Sequence, residues 1–157
     1  MRNEKFVIII NKRNDLDLWN EILNKTNRLK NLILIPKVHF SLIDDYFENA
    51  KIFINTSIHE GFPNTFIQAL KNRTPIVSLN VNPDNFLNIY KCGFYCEDDF
   101  SQLLKNVKEL LHNKKLYEDF SKNAYFYAKN NHDLKMISSQ WKQLINYLYN
   151  VNNIQHK

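Results

Sequence analysis

Short apolar runs alternate along this chain with longer amphipathic stretches, and this alternation constrains the fold more than any other feature. The apolar runs predict buried strands at residues 6–10, 32–35, 52–54, 75–79 and 93–95. Strands that alternate with helices favour a parallel sheet joined by right-handed crossovers. The pattern therefore predicts an α/β fold, with a parallel sheet of about five strands and helices on both faces. An antiparallel sheet would contradict it.

The amphipathic stretches predict the helices. Their apolar spacing indicates helices over 16–29, 42–49, 65–71, 100–112, 114–130 and 133–150. Ser41 is expected to cap the second of these helices, because its hydroxyl can accept from a free first-turn amide. The aromatic residues of the closing helices are expected to pack against the sheet or a neighbouring domain rather than to stack on bases.

Size and composition limit the class of protein. A chain of 157 residues, 44% hydrophobic and 24% charged, fits one compact domain spanning 1–157. It contains two glycines, where average usage of roughly 7% would give about eleven. This scarcity excludes a glycine-rich phosphate loop. A flavodoxin-like domain would bind phosphate after its first strand, and residues 11–14 read Asn-Lys-Arg-Asn there, without a match.

The distribution of charged, apolar and cysteine residues gives no indication of nucleic-acid binding, a metal site or a membrane-spanning helix. The net charge of +5 comes from scattered lysines, which form no basic block. The apolar run at 6–10 is too short for a secretory signal, and no run approaches the ~20 residues of a membrane helix. Cys92 and Cys96 are a lone pair, poor evidence for zinc. We therefore expect a cytoplasmic protein with reduced thiols.

The candidate chemistry lies between the third and fourth predicted strands. Ligands of open parallel sheets bind where strands end and loops lead into helices. In this segment Gly61 permits unusual backbone conformations and close approach of a ligand, and Pro63 fixes the turn. The free amides at the start of the next helix could hold a phosphate; they belong to Asn64, Thr65 and Phe66.

A structural alternative fits the same segment. Thr65 and Gln68 have the spacing of a capping box, in which the glutamine side chain bends back to the helix start. The residues alone do not decide between this alternative and a phosphate site. His59 could act as a general base, although a loop histidine is more often solvated. The remaining histidines have no spacing that suggests a metal site.

The motif resembles the donor-side signature of family 4 glycosyltransferases, which are retaining enzymes with the GT-B fold. It reads Ser57-x-x-Glu60-Gly61-Phe62-Pro63-Asn64, followed by Thr74-Pro75-Ile76-Val77. The resemblance extends over nearly the whole chain. It implies a Rossmann-like domain equivalent to the C-terminal half of such an enzyme, which binds a nucleotide-diphosphate sugar as substrate and uses no metal or other cofactor.

The resemblance also implies roles for individual residues. Glu60 matches a catalytic acid that contacts the donor sugar, and backbone around it lines the sugar at Gly61, Phe62, Pro63 and Asn64. Thr65 and Phe66 would face the diphosphate. Gln68 departs from the family, which usually has a glutamate there for the ribose hydroxyls, so nucleotide binding should be weaker. Arg73 replaces a common glycine and is either a surface variation or a cation within reach of a phosphate.

The family also has parts that this chain lacks. Its active site lies between two domains, and the acceptor domain has no counterpart here. The strand–helix unit that brings an arginine and a lysine to the diphosphate is also missing, and Lys12 and Arg13 are weak substitutes. We therefore expect a donor-binding domain for transfer to a glycan or lipid-linked acceptor, inactive without an acceptor domain or companion subunit. The alternative is a non-catalytic nucleotide-sugar-binding module. The full enzyme would associate with the inner face of the membrane if its acceptor is a lipid.

Overall fold

The computed structural model describes residues 4–10 and 16–155. Contacts divide the chain into two compact units, 1–46 and 47–157. Among the described residues, no helix is long and apolar enough to cross a bilayer. Lys12 and Arg13, weighed above as phosphate cations, lie outside the described residues.

The first unit contains a pair of parallel strands. Strand β1 (Phe6–Ile9) pairs with β2 (Leu32–Ile35) in a register that joins Phe6 to Leu32. The connection between them includes helix α1 (Leu16–Thr26), which packs on β2 and buries Trp19. The apolar runs therefore form the first two strands where the sequence predicted them.

The helix that follows begins differently from the prediction. A single 3-10 turn, Phe40–Leu42, precedes helix α2 (Ile43–Glu48). Ser41 lies inside that turn, so the prediction that it caps the helix is wrong. His39 is the N-cap of the 3-10 turn, and its Nδ1 accepts a hydrogen bond from the Ser41 backbone amide over 3.4 Å.

The second unit contains a three-stranded parallel sheet in the order β3-β4-β5. Its strands are β3 (Phe53–Asn55), β4 (Ile76–Ser78) and β5 (Gly93–Tyr95). Its helices are α3 (Asn64–Lys71), α4 (Phe86–Tyr90), α5 (Phe100–His112), α6 (Lys114–Asn131) and α7 (Leu134–Gln155). All strand pairs in both sheets are parallel.

Helices cover both faces of the second sheet. All of β4 is buried, which is typical of a central parallel strand. On one face Val77 packs in a core cluster with residues of α5. On the other face Phe53, paired in register with Ile76, contacts the ring of Phe66 on α3. Because side chains alternate along a strand, α3 and α5 lie on opposite faces.

The predicted fold class is confirmed, and several details differ from the prediction. Helix α1 ends at Thr26 rather than at residue 29, and α7 continues to Gln155 rather than ending at 150. The five strands are divided between a two-stranded and a three-stranded sheet rather than forming one. Helix α4 was not predicted, because five residues are too few to show a helical period. Two left-handed residues, Asp84 and Asn85, precede it and turn the chain without glycine.

Candidate functional site

The site is built where β3 and β4 end side by side. Asn55 and Ser78 are the last residues of the two strands and are partners in the parallel register. Both strands end at the same edge, so the loop 56–63 leaves the sheet beside the loop that follows β4. This is the edge at which open parallel sheets bind ligands.

A buried amide ties the first loop to the sheet. The Asn55 side chain accepts hydrogen bonds through Oδ1 from the Ser57 backbone amide at 3.2 Å and from the Ser78 hydroxyl at 3.4 Å. Its Nδ2 donates to Oε1 of Glu60 at 3.3 Å. The predicted sugar-binding carboxylate is therefore linked to both strands through one side chain.

Glu60 has the exposure expected of a carboxylate that binds a ligand. Its side chain is exposed, and the ion pairs found among the described residues do not involve it. His59 is also exposed, beside Glu60 on the same loop.

Aromatic packing anchors the loop behind Glu60. The Phe62 ring lies 5.1 Å from that of Phe86 and 4.9 Å from that of His132, between ring centroids. Pro63 is buried beside it. The Phe62 ring therefore anchors the loop by packing against Phe86 and His132.

Helix α3 begins directly after Pro63 and presents two amides. Asn64 and Thr65 are exposed first-turn residues, whose amides have no acceptor within the helix. The Phe66 amide donates to the carbonyl of Pro63 at 2.9 Å. The prediction of three free amides is therefore wrong at Phe66, because the first turn closes tightly on the proline.

The backbone of Gly61 differs from the prediction. Its φ is not positive, so the unusual conformation available to glycine is not used. A Cβ added to Gly61 would meet no atom within 4 Å. The residue leaves open space beside Glu60, and close approach of a ligand is the property of glycine that the geometry retains.

The capping-box alternative for Gln68 is wrong. Pro63 is the N-cap of α3, so Thr65 is the second helical residue rather than the cap. Within the described residues, no hydrogen bond joins the Gln68 side chain to the Thr65 amide. Gln68 is half-buried, one turn along the helix from Asn64, and its backbone carbonyl accepts from Asn72 Nδ2 at 2.9 Å.

Arg73 lies on the surface, as one of its two interpretations predicted. It has φ 62°, the left-handed conformation for which glycine is favoured at a helix end. Its guanidinium lies 4.3 Å from the ring centroid of Tyr125 on α6, and its carbonyl accepts from the Ser121 hydroxyl at 2.7 Å. The cation is therefore engaged with an aromatic ring of α6.

His132 is a neighbour of the site that sequence reasoning missed. It follows α6 in the chain, yet its ring packs against Phe62 and Tyr127. Its Nε2 is buried and has no hydrogen-bond partner in the described part of the chain. Burial lowers the pKa of His132 because the charged imidazolium would lose solvent. No local pattern indicates the contact between His132 and Phe62, since these two residues are far apart in sequence.

The two cysteines lie in the core of the second unit. Cys92 and Cys96 are buried free thiols, and burial raises the pKa of Cys92 to about 12. Cys96 Sγ accepts a hydrogen bond from Asn106 at 3.4 Å. In the regions that the structure describes, no group of three potential metal ligands is found.

The fold and the position of the site define an α/β protein of the Rossmann-like class, with its candidate site at the carboxyl ends of parallel strands. The family model of group 1 glycosyl transferases matches residues 2–126. The chain therefore belongs to the group 1 glycosyl transferase family.

A solved structure with the same fold is sucrose-phosphate synthase from Thermosynechococcus elongatus. It superposes with a TM-score of 0.76 at 16% sequence identity, over 92% of this chain. The matched region is 38% of the length of that enzyme. At this identity the likeness shows the fold, that of a GT-B glycosyltransferase domain. No curated protein matches the sequence significantly.

Proposed function

We propose that this chain is the nucleotide-sugar-binding part of a retaining, family 4 glycosyltransferase. Membership of the group 1 family supports a role in glycosyl transfer. The observation that carries the proposal is the pairing, on one loop, of an exposed carboxylate and an open helix start. Glu60 offers acceptors for sugar hydroxyls, and the amides of Asn64 and Thr65 offer donors for phosphate oxygens.

The proposed roles follow the order of groups in a nucleotide-diphosphate sugar. Glu60 accepts hydrogen bonds from the sugar, and the open space above Gly61 admits the ring close to the backbone. The start of α3 faces the diphosphate. Gln68, one turn further along the helix, contacts the ribose hydroxyls.

The proposed chemistry needs charges that this site does not supply. A helix start carries about half a positive charge, less than a departing nucleoside diphosphate requires. We infer that the remaining cations come from outside this site, supplied by a further strand–helix unit of the donor domain or by a companion subunit, without a metal ion. The chain spans 38% of the synthase that it resembles, which supports a dependence on a further domain. The proposed acceptor is a glycan or a lipid-linked sugar, reached from the cytoplasm at the inner face of the membrane.

A non-catalytic binding module is the second candidate, supported by the same short coverage. Both candidates require donor binding, and they differ in whether the chain completes an enzyme. A module should bind a nucleotide sugar and leave it intact, whatever acceptor domain is added. To distinguish the two candidates, the chain and its nucleotide sugar are mixed with a separately produced acceptor domain from a family 4 enzyme. NMR of the anomeric proton then shows whether the sugar is transferred or the nucleotide sugar stays intact.

Calorimetry tests donor binding. The chain is titrated with UDP, GDP and ADP, and then with UDP-glucose, UDP-N-acetylglucosamine and GDP-mannose, with EDTA present. We expect one nucleoside diphosphate to bind and one of its sugar conjugates to bind more tightly. Glu60→Gln should lower the affinity for the sugar conjugate by about five-fold, which is the difference between a charged and a neutral hydrogen bond. The affinity for the nucleoside diphosphate should stay unchanged.

The matched control is Glu109→Gln, which removes an exposed carboxylate on α5. It should leave both affinities unchanged. A folded chain that binds none of the six compounds at millimolar concentration would contradict the proposed function.

A further inference from the structure

The partners of Asn55 require a side chain that offers both a donor and an acceptor, as an amide does. It is 6% exposed, so its polar atoms need partners within the protein. The Ser57 backbone amide can only donate, and it faces Oδ1. A carboxylate can only accept, and that of Glu60 faces Nδ2. These two partners fix the orientation of the amide.

The two ends of this link differ in burial. Asn55 is held in the sheet by the Ser78 hydroxyl of the neighbouring strand, which also accepts from the Val81 amide at 3.2 Å. Glu60 is an exposed side chain on a loop. The link therefore restrains the exposed partner through the buried one.

We propose that Asn55 is a positioning residue for the donor sugar, which acts by holding the Glu60 carboxylate in its binding orientation. The inference rests on the role proposed above for Glu60. Oε1 of Glu60 is engaged by Asn55, which leaves Oε2 to accept from the sugar. A carboxylate that is already oriented loses less conformational freedom when the ligand binds.

Asn55→Asp tests the donated hydrogen bond. The variant has nearly the same shape and keeps the acceptor for Ser57 and Ser78, but it directs a second carboxylate at Glu60. The measured quantity is the affinity ratio between the best-binding sugar conjugate and its nucleoside diphosphate, from the six compounds named above. We expect the ratio to fall by about five-fold, as for Glu60→Gln, with the affinity for the diphosphate retained.

The double variant provides a readout that a merely structural role would not move. If Asn55 acts through Glu60, Asn55→Asp should cause no further fall in the ratio when Glu60→Gln is already present. In that double variant the amide stands at position 60 and the carboxylate at position 55, so a hydrogen bond between the two positions can form in the opposite direction. Its free energy of unfolding should exceed the value expected from adding the two single changes.

Asn106→Asp is the matched control. Asn106 is another buried asparagine of the same unit, 3% exposed, bonded to Gln102 and Cys96 on the α5 side. Its substitution should lower stability and leave the affinity ratio unchanged. Asn55→Ser, which adds no buried charge, replaces Asn55→Asp if that variant does not fold, and it should lower the ratio equally.

Two results would overturn the inference alone: a ratio in Asn55→Asp equal to that of the unsubstituted chain, or losses that add fully in the double variant. A different result would overturn the proposed function and this inference with it. In that case the unsubstituted chain would bind none of the nucleotide sugars, or would bind sugar conjugate and diphosphate equally.

Discussion

Gly93 is required by the close approach of two strands. It is paired in register with Ile76, and a Cβ at this position would lie 2.2 Å from the Ile76 carbonyl oxygen and 2.8 Å from Leu87 Cδ2. The first of these is a backbone atom that cannot move without distorting β4. Gly61 is the opposite case, since a Cβ there would meet nothing within 4 Å. Substitution by alanine should therefore have opposite effects on stability at Gly93 and at Gly61.

Gly93→Ala should destabilise the protein by about 1–3 kcal/mol, the usual cost of overpacking. Gly61→Ala should leave stability unchanged or raise it by about 0.4–1 kcal/mol, because the unfolded chain loses freedom. Gly61→Ala should also lower the affinity for a nucleotide sugar, because the new methyl group occupies the space beside Glu60. Urea unfolding and calorimetry measure the two effects. Equal destabilisation by both substitutions would contradict this account.

Gln68 supplies a prediction about nucleotide affinity. If its side chain contacts the ribose, Gln68→Glu should tighten binding of a nucleoside diphosphate by about 1 kcal/mol, which is about five-fold. The gain reflects a charged acceptor in place of a neutral one. Gln140→Glu adds the same charge at an exposed position on α7 and should change nothing. Unchanged or weaker affinity in folded Gln68→Glu would show that the residue does not contact the ribose.

At the scale of elements, α7 differs from the other helices of the second unit. Every residue from 141 to 150 is exposed. Its apolar side chains include a stripe at helical spacing, formed by Trp141, Leu144, Ile145 and Leu148. The aromatic residues of the closing helices were expected to pack against the sheet or a neighbouring domain, and Trp141 does not pack within the second unit. This half of α7 therefore contributes little buried area to that unit.

A chain that ends at residue 140 should consequently be about as stable as the full chain, within about 1 kcal/mol. It should also bind less of a hydrophobic dye, because an exposed apolar stripe has been removed. A chain that ends at residue 126 is the control. It loses the buried Tyr127 and Ala128 together with His132, and it should be destabilised by about 3 kcal/mol or more. Urea unfolding of the three chains measures the difference, and a large loss on ending at 140 would contradict the prediction.

For the whole molecule, His132 makes stability depend on pH. Burial lowers its pKa below the ordinary value of about 6.5 that it regains on unfolding. Between these two values the unfolded chain binds more protons than the native chain, so stability rises with pH. The contribution is fully present above about pH 6.5 and is lost as the pH falls through the native pKa. Acid should therefore loosen the packing of His132 against Phe62 and Tyr127.

His132→Gln should reduce the slope of unfolding free energy against pH below about 6.5. His59→Gln, at an exposed position of the loop, should leave that slope unchanged. Urea titrations at closely spaced pH values provide the measurement. Identical slopes in the unsubstituted chain and in His132→Gln would show that another group governs the acid side.

The sequence by itself determined the five strands, the longer helices and where the candidate site begins. The short apolar runs predicted β2 and β5 with their observed bounds. They predicted each end of the other three strands to within one residue. The motif from Ser57 to Asn64 identified the loop that carries Glu60. These features are local, because period and turn chemistry depend on side chains a few positions apart.

Tertiary structure alone decided how those segments meet. Local patterns contain no information on strand register, so the division into two sheets and the close approach of Gly93 to Ile76 were not predictable. The link from Asn55 to Ser78 requires two strands that end side by side. The packing of His132 on Phe62 requires the end of α6 to fold back onto the loop. Each of these contacts joins residues that are distant in sequence, and only the packing of the core brings such residues together.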